Sequence, residues 1–179
     1  HRIALMKDGE ILQVDEGEKL FYAPVNEYVA RFMGKGNSIL GRVENGVFSC
    51  PYFSFPVEKE EGNYTFFFRE RQLSFTEDIV ERQIAEKQTI ERQIAEKQTA
   101  GESIHEGGKA SGISEELSPF TLIEKEYLGE FFRAFYKNSA GLVLSCLIER
   151  GEKLPERGFP TLCFKEGEEK ILFLLKEGE

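Results

Sequence analysis

The chain has 179 residues, 40% hydrophobic and 31% charged, with a formal net charge of −9. This length corresponds to one domain, or to one domain and a fragment, and the apolar content suffices for a hydrophobic core. The negative charge and the scattered Lys and Arg residues disfavour a nucleic-acid surface, which requires clustered cations. The longest apolar runs are far shorter than the roughly 18 residues of a membrane span. Because the first methionine is Met6, we expect the chain to be a piece of a longer protein.

The N-terminal residues predict a β-hairpin. Two short strand-like runs, 2–6 and 10–14, flank the dipeptide Asp8-Gly9. An Asp-Gly pair between such runs is a strong hairpin signal, because both turn residues adopt positive φ.

A short helix is predicted next. One helical turn over 18–22 precedes Asn26, a good N-cap for a helix over 27–33. Val29, Phe32 and Met33 follow helical spacing and are expected to share one face.

From residue 37 onward the pattern changes to short β-rich pieces separated by Gly, Pro and Asn. Such spacing predicts a small β barrel or sandwich. Pro56 is tolerated in its strand only at a sheet edge. The predicted strands are 39–40, 46–48, 53–57, 64–69, 121–127, 130–136, 141–148, 161–165 and 170–175.

An internal repeat interrupts the β-rich pieces. Residues 90–99 repeat 80–89 with a single exchange of Val for Ile. The composition predicts a helix of about 24 residues, roughly 36 Å long, with Ser74 or Thr76 as its N-cap, followed by a Gly- and Ser-rich loop over 102–118. The helix is interpreted either as an arm for a partner or as a surface helix lying on the barrel.

Sequence motifs for catalysis are incomplete in this chain. Gly34-Lys35 and Gly108-Lys109 each lack the upstream glycine and the following Ser or Thr of a phosphate-binding loop. We therefore expect no catalytic residue and no bound cofactor in this chain.

The three cysteines, Cys50, Cys146 and Cys163, are widely separated and form no Cys-x-x-Cys pair. A disulfide framework or a zinc site is therefore not expected. The prediction is buried, reduced thiols, and no metal site.

An aromatic run in the second β-rich half is a candidate interface. It has apolar residues on both faces of the predicted strand, where a half-buried strand would alternate. The alternative interpretation is that these side chains fill the barrel core. The candidates are Phe131, Phe132, Phe135 and Tyr136.

The first 37 residues resemble the segment that links the ATP-binding domain to the C-terminal domain in ATPase subunits of ABC importers. The matching positions are Arg2, Ile3, Ala4, Met6, Gly9, Gln13, Val14, Pro24, Asn26, Tyr28, Val29, Ala30, Phe32, Gly34 and Asn37. Three later stretches, 66–70, 126–129 and 158–173, resemble strands of the same family's TOBE (transport-associated OB) domain. Glu70 and Arg71 stand where the family has Pro and Glu.

This resemblance implies a division into three parts. Residues 1–36 would be the end of the ATP-binding domain, 37–77 and 119–179 an OB-like TOBE domain, and 78–118 a helical, repeat-containing insertion. The fold class would be mainly β, with an OB-like small β barrel preceded by a hairpin-and-helix segment.

The resemblance also implies a function. The chain would be a non-catalytic regulatory and dimerisation module of an importer ATPase, and the full-length parent would bind ATP and Mg. Expected partners are a second ATPase subunit in a homodimer, the transporter's membrane subunits and a small-molecule regulator. The location would be cytoplasmic, at the inner face of the cell membrane.

Two other functions are considered. An OB-type sensor would bind a small anion such as molybdate or sulfate. A single-strand nucleic-acid binder would stack bases on Phe and Tyr, but the acidic charge balance disfavours it.

Overall fold

A computed structural model describes residues 1–77, 118–165, 168 and 170–175. In this part the chain is mainly β with two short α helices, which confirms the predicted fold class. Except for Ser118, the predicted helical insertion lies outside the described residues.

Residues 1–34, here called the N-terminal segment, form a hairpin and two helices. The elements are β1 (Arg2–Lys7), β2 (Glu10–Glu16), α1 (Gly17–Tyr22) and α2 (Glu27–Met33). The hairpin turn has φ of 52° at Asp8 and 86° at Gly9, as the sequence predicts. The Asn26 side chain accepts a hydrogen bond from the Val29 amide at 3.0 Å, which confirms the predicted N-cap.

The described residues from Gly36 onward, here called the β body, form ten strands and a 3-10 turn (Glu70–Gln72). The strands are β3 (Gly36–Glu44), β4 (Val47–Ser49), β5 (Ser54–Pro56), β6 (Gly62–Arg69), β7 (Leu73–Thr76), β8 (Phe120–Tyr127), β9 (Phe131–Lys137), β10 (Val143–Glu149), β11 (Arg157–Leu162) and β12 (Ile171–Leu174).

The β body consists of two five-stranded antiparallel sheets. One has the strand order β12-β6-β3-β4-β5, and the other has the order β10-β9-β8-β11-β7. Both contribute to a single aromatic-rich core, in which Phe48, Phe66, Phe68, Phe120 and Tyr136 are fully buried. In the described part the sheets do not close into a barrel, although their arrangement is compatible with an OB-like fold.

Pro56 lies in β5, at the edge of its sheet, as predicted.

Asn37 of β3 connects the two sheets by binding to β10, which is an edge strand of the other sheet. Its side-chain amide donates to the Ser145 carbonyl and accepts from the Ser145 N–H, each at 2.8 Å. The Asn37 side chain thereby forms with the backbone of β10 the two hydrogen bonds that the backbone of a neighbouring strand would otherwise form.

Two local predictions are wrong. Ser74, one of the two predicted helix N-caps, lies inside strand β7, because Leu73 and Phe75 pack on the core while the strand pairs with β11. Thr76, the other candidate, is the last residue of that strand, and the helix it would cap lies outside the described residues. The strand predicted over 161–165 instead spans Arg157–Leu162. Of the residues expected to share one face of α2, Val29 is fully buried whereas Phe32 is 67% exposed.

Within the described residues, neither helix has the length and apolar character needed to cross a bilayer.

Candidate functional site

The four aromatic interface candidates all come from β9 but occupy different environments. Tyr136 is fully buried and its hydroxyl donates to the Pro155 carbonyl at 2.8 Å, so it belongs to the core. Phe131, Phe132 and Phe135 are partly buried. Because side chains alternate along a strand, Phe132 shares its face with Tyr136, and Phe131 shares the other with Phe135. The four side chains therefore do not form one continuous patch.

The largest concentration of exposed apolar side chains lies in the N-terminal segment. Of the fourteen exposed large apolar side chains in the described residues, eight fall within the first 34 residues. They are Ile3, Met6, Ile11, Val14, Tyr22, Val25, Tyr28 and Phe32.

The two faces of the hairpin differ in the exposure of their side chains. On the inner face, Leu5 and Gln13 are opposite each other and both are buried. On the outer face, Met6 lies opposite Ile11, and both are more than half exposed. On α2, the Phe32 ring stacks on that of Tyr28, with ring centroids 6.4 Å apart. The segment thus presents an apolar surface although its own core is small.

Gln13 fixes the hairpin to the link between α1 and α2. Its side-chain amide donates to the Ala23 carbonyl at 3.2 Å and accepts from the Val25 N–H at 3.0 Å. The interior of the segment is otherwise formed by Leu5, Leu20 and Val29.

Arg69, at the end of β6, joins the N-terminal segment to the β body. Its guanidinium donates to three carbonyls near the ends of α1 and α2: Phe21 at 2.8 Å, Ala30 at 2.6 Å and Gly34 at 2.7 Å. Helix C-termini leave carbonyls without intrahelical partners and carry partial negative charge, so a cation is favoured there. Arg69 and these three carbonyls are called the Arg69 cluster.

Two aromatic rings enclose the Arg69 guanidinium. Its central carbon lies 4.1 Å from the centroid of the Phe21 ring and 4.8 Å from that of Phe67. The side chain is only 6% exposed, and burial lowers the pKa of the guanidinium. The Arg69 cluster is therefore a desolvated connection rather than a surface contact.

A second buried polar group follows directly in the sequence. Glu70 accepts from Arg133 Nε at 2.9 Å and from the Ser145 hydroxyl at 2.8 Å. Arg133 also contacts Glu126. Burial lowers the pKa of Arg133, but the hydrogen bonds that its guanidinium donates to the carboxylates of Glu70 and Glu126, together with their negative charges, outweigh this effect and raise the pKa. These contacts join the 3-10 turn to β9 and β10.

The described residues contain no group of three or more His, Cys, Asp or Glu side chains placed to hold a metal ion. Cys146 is buried as predicted, Cys50 is partly buried, and Cys163 is exposed contrary to expectation.

The roles of Arg69, Glu70 and Arg133 are not predicted by the sequence analysis. The sequence feature that could have indicated these roles is a charged residue within an apolar run. Arg69 follows three phenylalanines, and Arg133 lies between Phe132 and Ala134. A charge at such a position is normally buried only with a partner.

Comparison with known proteins gives two partial matches. The chain is 29% identical over 82 residues, 42% of its length, to the Fe(3+) ions import ATP-binding protein FbpC of Photobacterium profundum. It is 46% identical over 44 residues, 25% of its length, to the spermidine/putrescine import ATP-binding protein PotA of Chromobacterium violaceum. No protein-family model matches the chain.

These matches cover 23% and 12% of the respective relatives, so the chain spans less than a quarter of either. The two relatives are named for different solutes, and what their names share is an ATP-binding role in import. The chain is therefore similar in part to ATP-binding subunits of importers.

Proposed function

We propose that this chain is the non-catalytic C-terminal module of the ATP-binding subunit of an ABC importer. The observation that carries this proposal is the exposed apolar surface of the N-terminal segment. Eight large apolar side chains are exposed within 34 residues, and some of them are neighbours, as in the Met6–Ile11 cross-strand pair and the Tyr28–Phe32 ring stack. Exposed apolar side chains that adjoin one another are typical of interaction surfaces. The end of an ATP-binding domain, with the rest of that domain packed on it, accounts for this surface.

In this proposal the N-terminal segment completes the ATP-binding domain and the β body is the regulatory TOBE domain. ATP and Mg bind to the preceding part of the parent protein. The parent lies at the inner face of the membrane, against the importer's membrane subunits. The Arg69 cluster then joins the two domains.

The upstream sequence tests the proposal directly. We expect the parent gene to encode complete nucleotide-binding motifs before His1, and the purified chain to hydrolyse no ATP. An upstream region without such motifs, or ATP turnover that persists through further purification, overturns the proposal.

The apolar surface has its own test. We would produce the upstream region and this chain as separate polypeptides and measure whether they co-purify. Phe32→Asp combined with Ile11→Asp should abolish co-purification, because both side chains are exposed apolar groups of the N-terminal segment. Leu40→Asp is the matched control, since Leu40 is equally exposed but lies in the β body. Equal loss with the control would contradict the assignment.

We propose dimerisation through the β8–β9 hairpin. The Phe132 ring lies 5.4 Å from that of Tyr127, which is 60% exposed, and Leu128 beside it is 40% exposed. Tyr127→Ser should weaken the dimer at least tenfold in multi-angle light scattering across a concentration series, with Leu40→Ser as the control. A concentration-independent monomer for the unmodified chain would exclude this interface.

A further inference from the structure

A cleft in the β body has features of a small-molecule site. It lies between β7 and β10, the two ends of one five-stranded sheet, and has a volume of about 320 Å³. Small-molecule sites are usually mostly apolar clefts of roughly 300–1,000 Å³. The volume therefore fits a small metabolite.

One wall of the cleft is apolar and packs on the core of the β body. Leu147, Leu154 and Pro155 line it together with Phe75. The Phe75 ring stacks on the buried Tyr136 ring, with centroids 3.7 Å apart. This wall is therefore an extension of the core and is held in place by it.

The lining also contains five charged side chains of both signs. The cations are Arg71, Lys153 and Lys165, and the anions are Glu149 and Glu152. Lys153 already pairs with Glu77, with 3.6 Å between the charged atoms, so the other four charges are two of each sign. A dianion would be repelled by the two carboxylates, and a neutral apolar ligand would leave these four charges unused. A ligand carrying one charge of each sign matches this arrangement.

Arg71 is placed to bind a carboxylate. Its guanidinium carbon lies 4.9 Å from the centroid of the Phe131 ring, which also lines the cleft. In the described part of the chain, this guanidinium has no hydrogen-bond or ion-pair partner. A planar guanidinium stacked on a ring keeps its donors available for bidentate contact with a carboxylate.

We propose that this cleft binds an α-amino acid with an apolar side chain. The carboxylate contacts Arg71, and the ammonium group is held by Glu149 or Glu152. The apolar side chain packs on the wall formed by Leu147, Leu154 and Pro155. A regulatory effect of such binding on an importer rests on the proposed function, whereas the binding itself does not.

The charge requirement can be tested with matched ligands on the purified chain. Isothermal titration calorimetry would compare L-phenylalanine with 3-phenylpropionate, which lacks the ammonium group, and phenethylamine, which lacks the carboxylate. We expect a Kd on the order of 0.1–1 mM for L-phenylalanine and at least tenfold weaker binding of both analogues. Equal or tighter binding of 3-phenylpropionate, sulfate or molybdate would overturn the proposal, as would no binding of L-phenylalanine at 10-fold excess over that range.

The site itself is tested by substitution. Arg71→Gln should weaken L-phenylalanine binding at least tenfold, since a hydrogen-bonded charge is lost. Glu149→Gln should weaken L-phenylalanine but leave any residual binding of 3-phenylpropionate unchanged or stronger. The control is Arg42→Gln, because the Arg42 side chain is 63% exposed and lies outside the cleft. Unchanged affinity in Arg71→Gln, with an unchanged circular dichroism spectrum, would overturn the assignment.

The two proposals fail separately. An upstream region without nucleotide-binding motifs would end the importer assignment and leave the amino-acid site standing. Absence of L-phenylalanine binding would remove the site and leave the importer assignment standing.

Discussion

The N-terminal segment and the β body differ in how much of their apolar surface they bury themselves. In the described residues, the core of the β body contains fifteen buried side chains, whereas that of the N-terminal segment contains three. Conversely, the segment contributes eight of the fourteen exposed large apolar side chains. The β body therefore has a core of its own, and the segment depends on what packs against it.

The connection between the two regions shows where that dependence begins. On one side, the segment is fixed to the β body by the buried Arg69 cluster. Other contacts are more exposed. Arg31 donates to the Ser38 hydroxyl, which donates to Glu27, and the Arg31 guanidinium carbon lies 5.9 Å from the centroid of the Phe67 ring. The hairpin and α2 also present exposed apolar side chains. In the proposed function, the preceding part of the ATP-binding domain would pack on these side chains.

Removing a ring from the core of the β body should have the largest effect. Phe66 is fully buried, and its ring centroid lies within 5.6 Å of those of Phe48, Phe55 and Phe68. Phe66→Ala should lower the free energy of unfolding by about 3–5 kcal/mol, because it leaves a cavity among these rings. Urea denaturation monitored by circular dichroism measures this change.

The comparison with the N-terminal segment supplies the control. Phe32→Ala removes the same ring from a side chain that is 67% exposed, and should change stability by less than about 0.5 kcal/mol. A loss similar to that of Phe66→Ala would mean that the apolar surface of the segment is already covered in the isolated chain.

Arg69→Met should separate the two regions. The substitution leaves three carbonyls at the ends of α1 and α2 without their donor, and we expect a loss of about 2–4 kcal/mol. Hydrogen–deuterium exchange should increase in residues 17–34 and remain unchanged in β6 and β9. Arg42→Met is the control, because its side chain is exposed. Equal acceleration throughout the β body would show that Arg69 stabilises the whole fold instead.

Local patterns in the sequence predict much of this architecture. The Asp8-Gly9 turn, the Asn26 cap and the edge position of Pro56 each follow from the chemistry of a few neighbouring residues. Most strands of the β body are also predicted, because alternation and Gly or Pro boundaries are local signals.

Long-range contacts explain the errors. Ser74 was predicted as a possible helix N-cap although it lies in β7, because the pairing of β7 with β11 joins residues more than 80 positions apart. Phe32 has the helical spacing typical of a buried residue but is exposed. In the proposed function, the residues that pack on Phe32 belong to the preceding part of the ATP-binding domain. The Arg69 cluster requires residues 35 to 48 positions apart, so no short motif predicts it.

The buried thiol of the β body should make stability depend on alkaline pH. Burial, with a further contribution from Glu70, raises the pKa of Cys146 from 9.0 to about 12. Unfolding therefore releases a proton above pH 9, and stability should fall as the pH rises towards 12. Between pH 8 and pH 10 this contribution is about 1.4 kcal/mol.

Cys146→Ala should remove that part of the pH dependence, whereas Cys163→Ala should retain it, because Cys163 is exposed. Urea denaturation at pH 8 and pH 10 for the three proteins measures the difference. Parallel losses in all three proteins would exclude Cys146 as the source.

The smallest effect should come from the N-terminal segment and shows whether it unfolds by itself. Asn26→Ala removes the hydrogen bond to the Val29 amide and should destabilise α2 by about 1 kcal/mol. Asn26→Asp keeps an acceptor at the N-cap and is the control. If the segment is a separate unit, exchange should accelerate in α2 and α1 while the urea midpoint of the β body stays unchanged. A matching shift of that midpoint would mean that the small core of Leu5, Leu20 and Val29 unfolds together with the aromatic core. The Arg69 cluster and the contacts of Glu27 and Arg31 would then couple the two regions without help from a preceding domain.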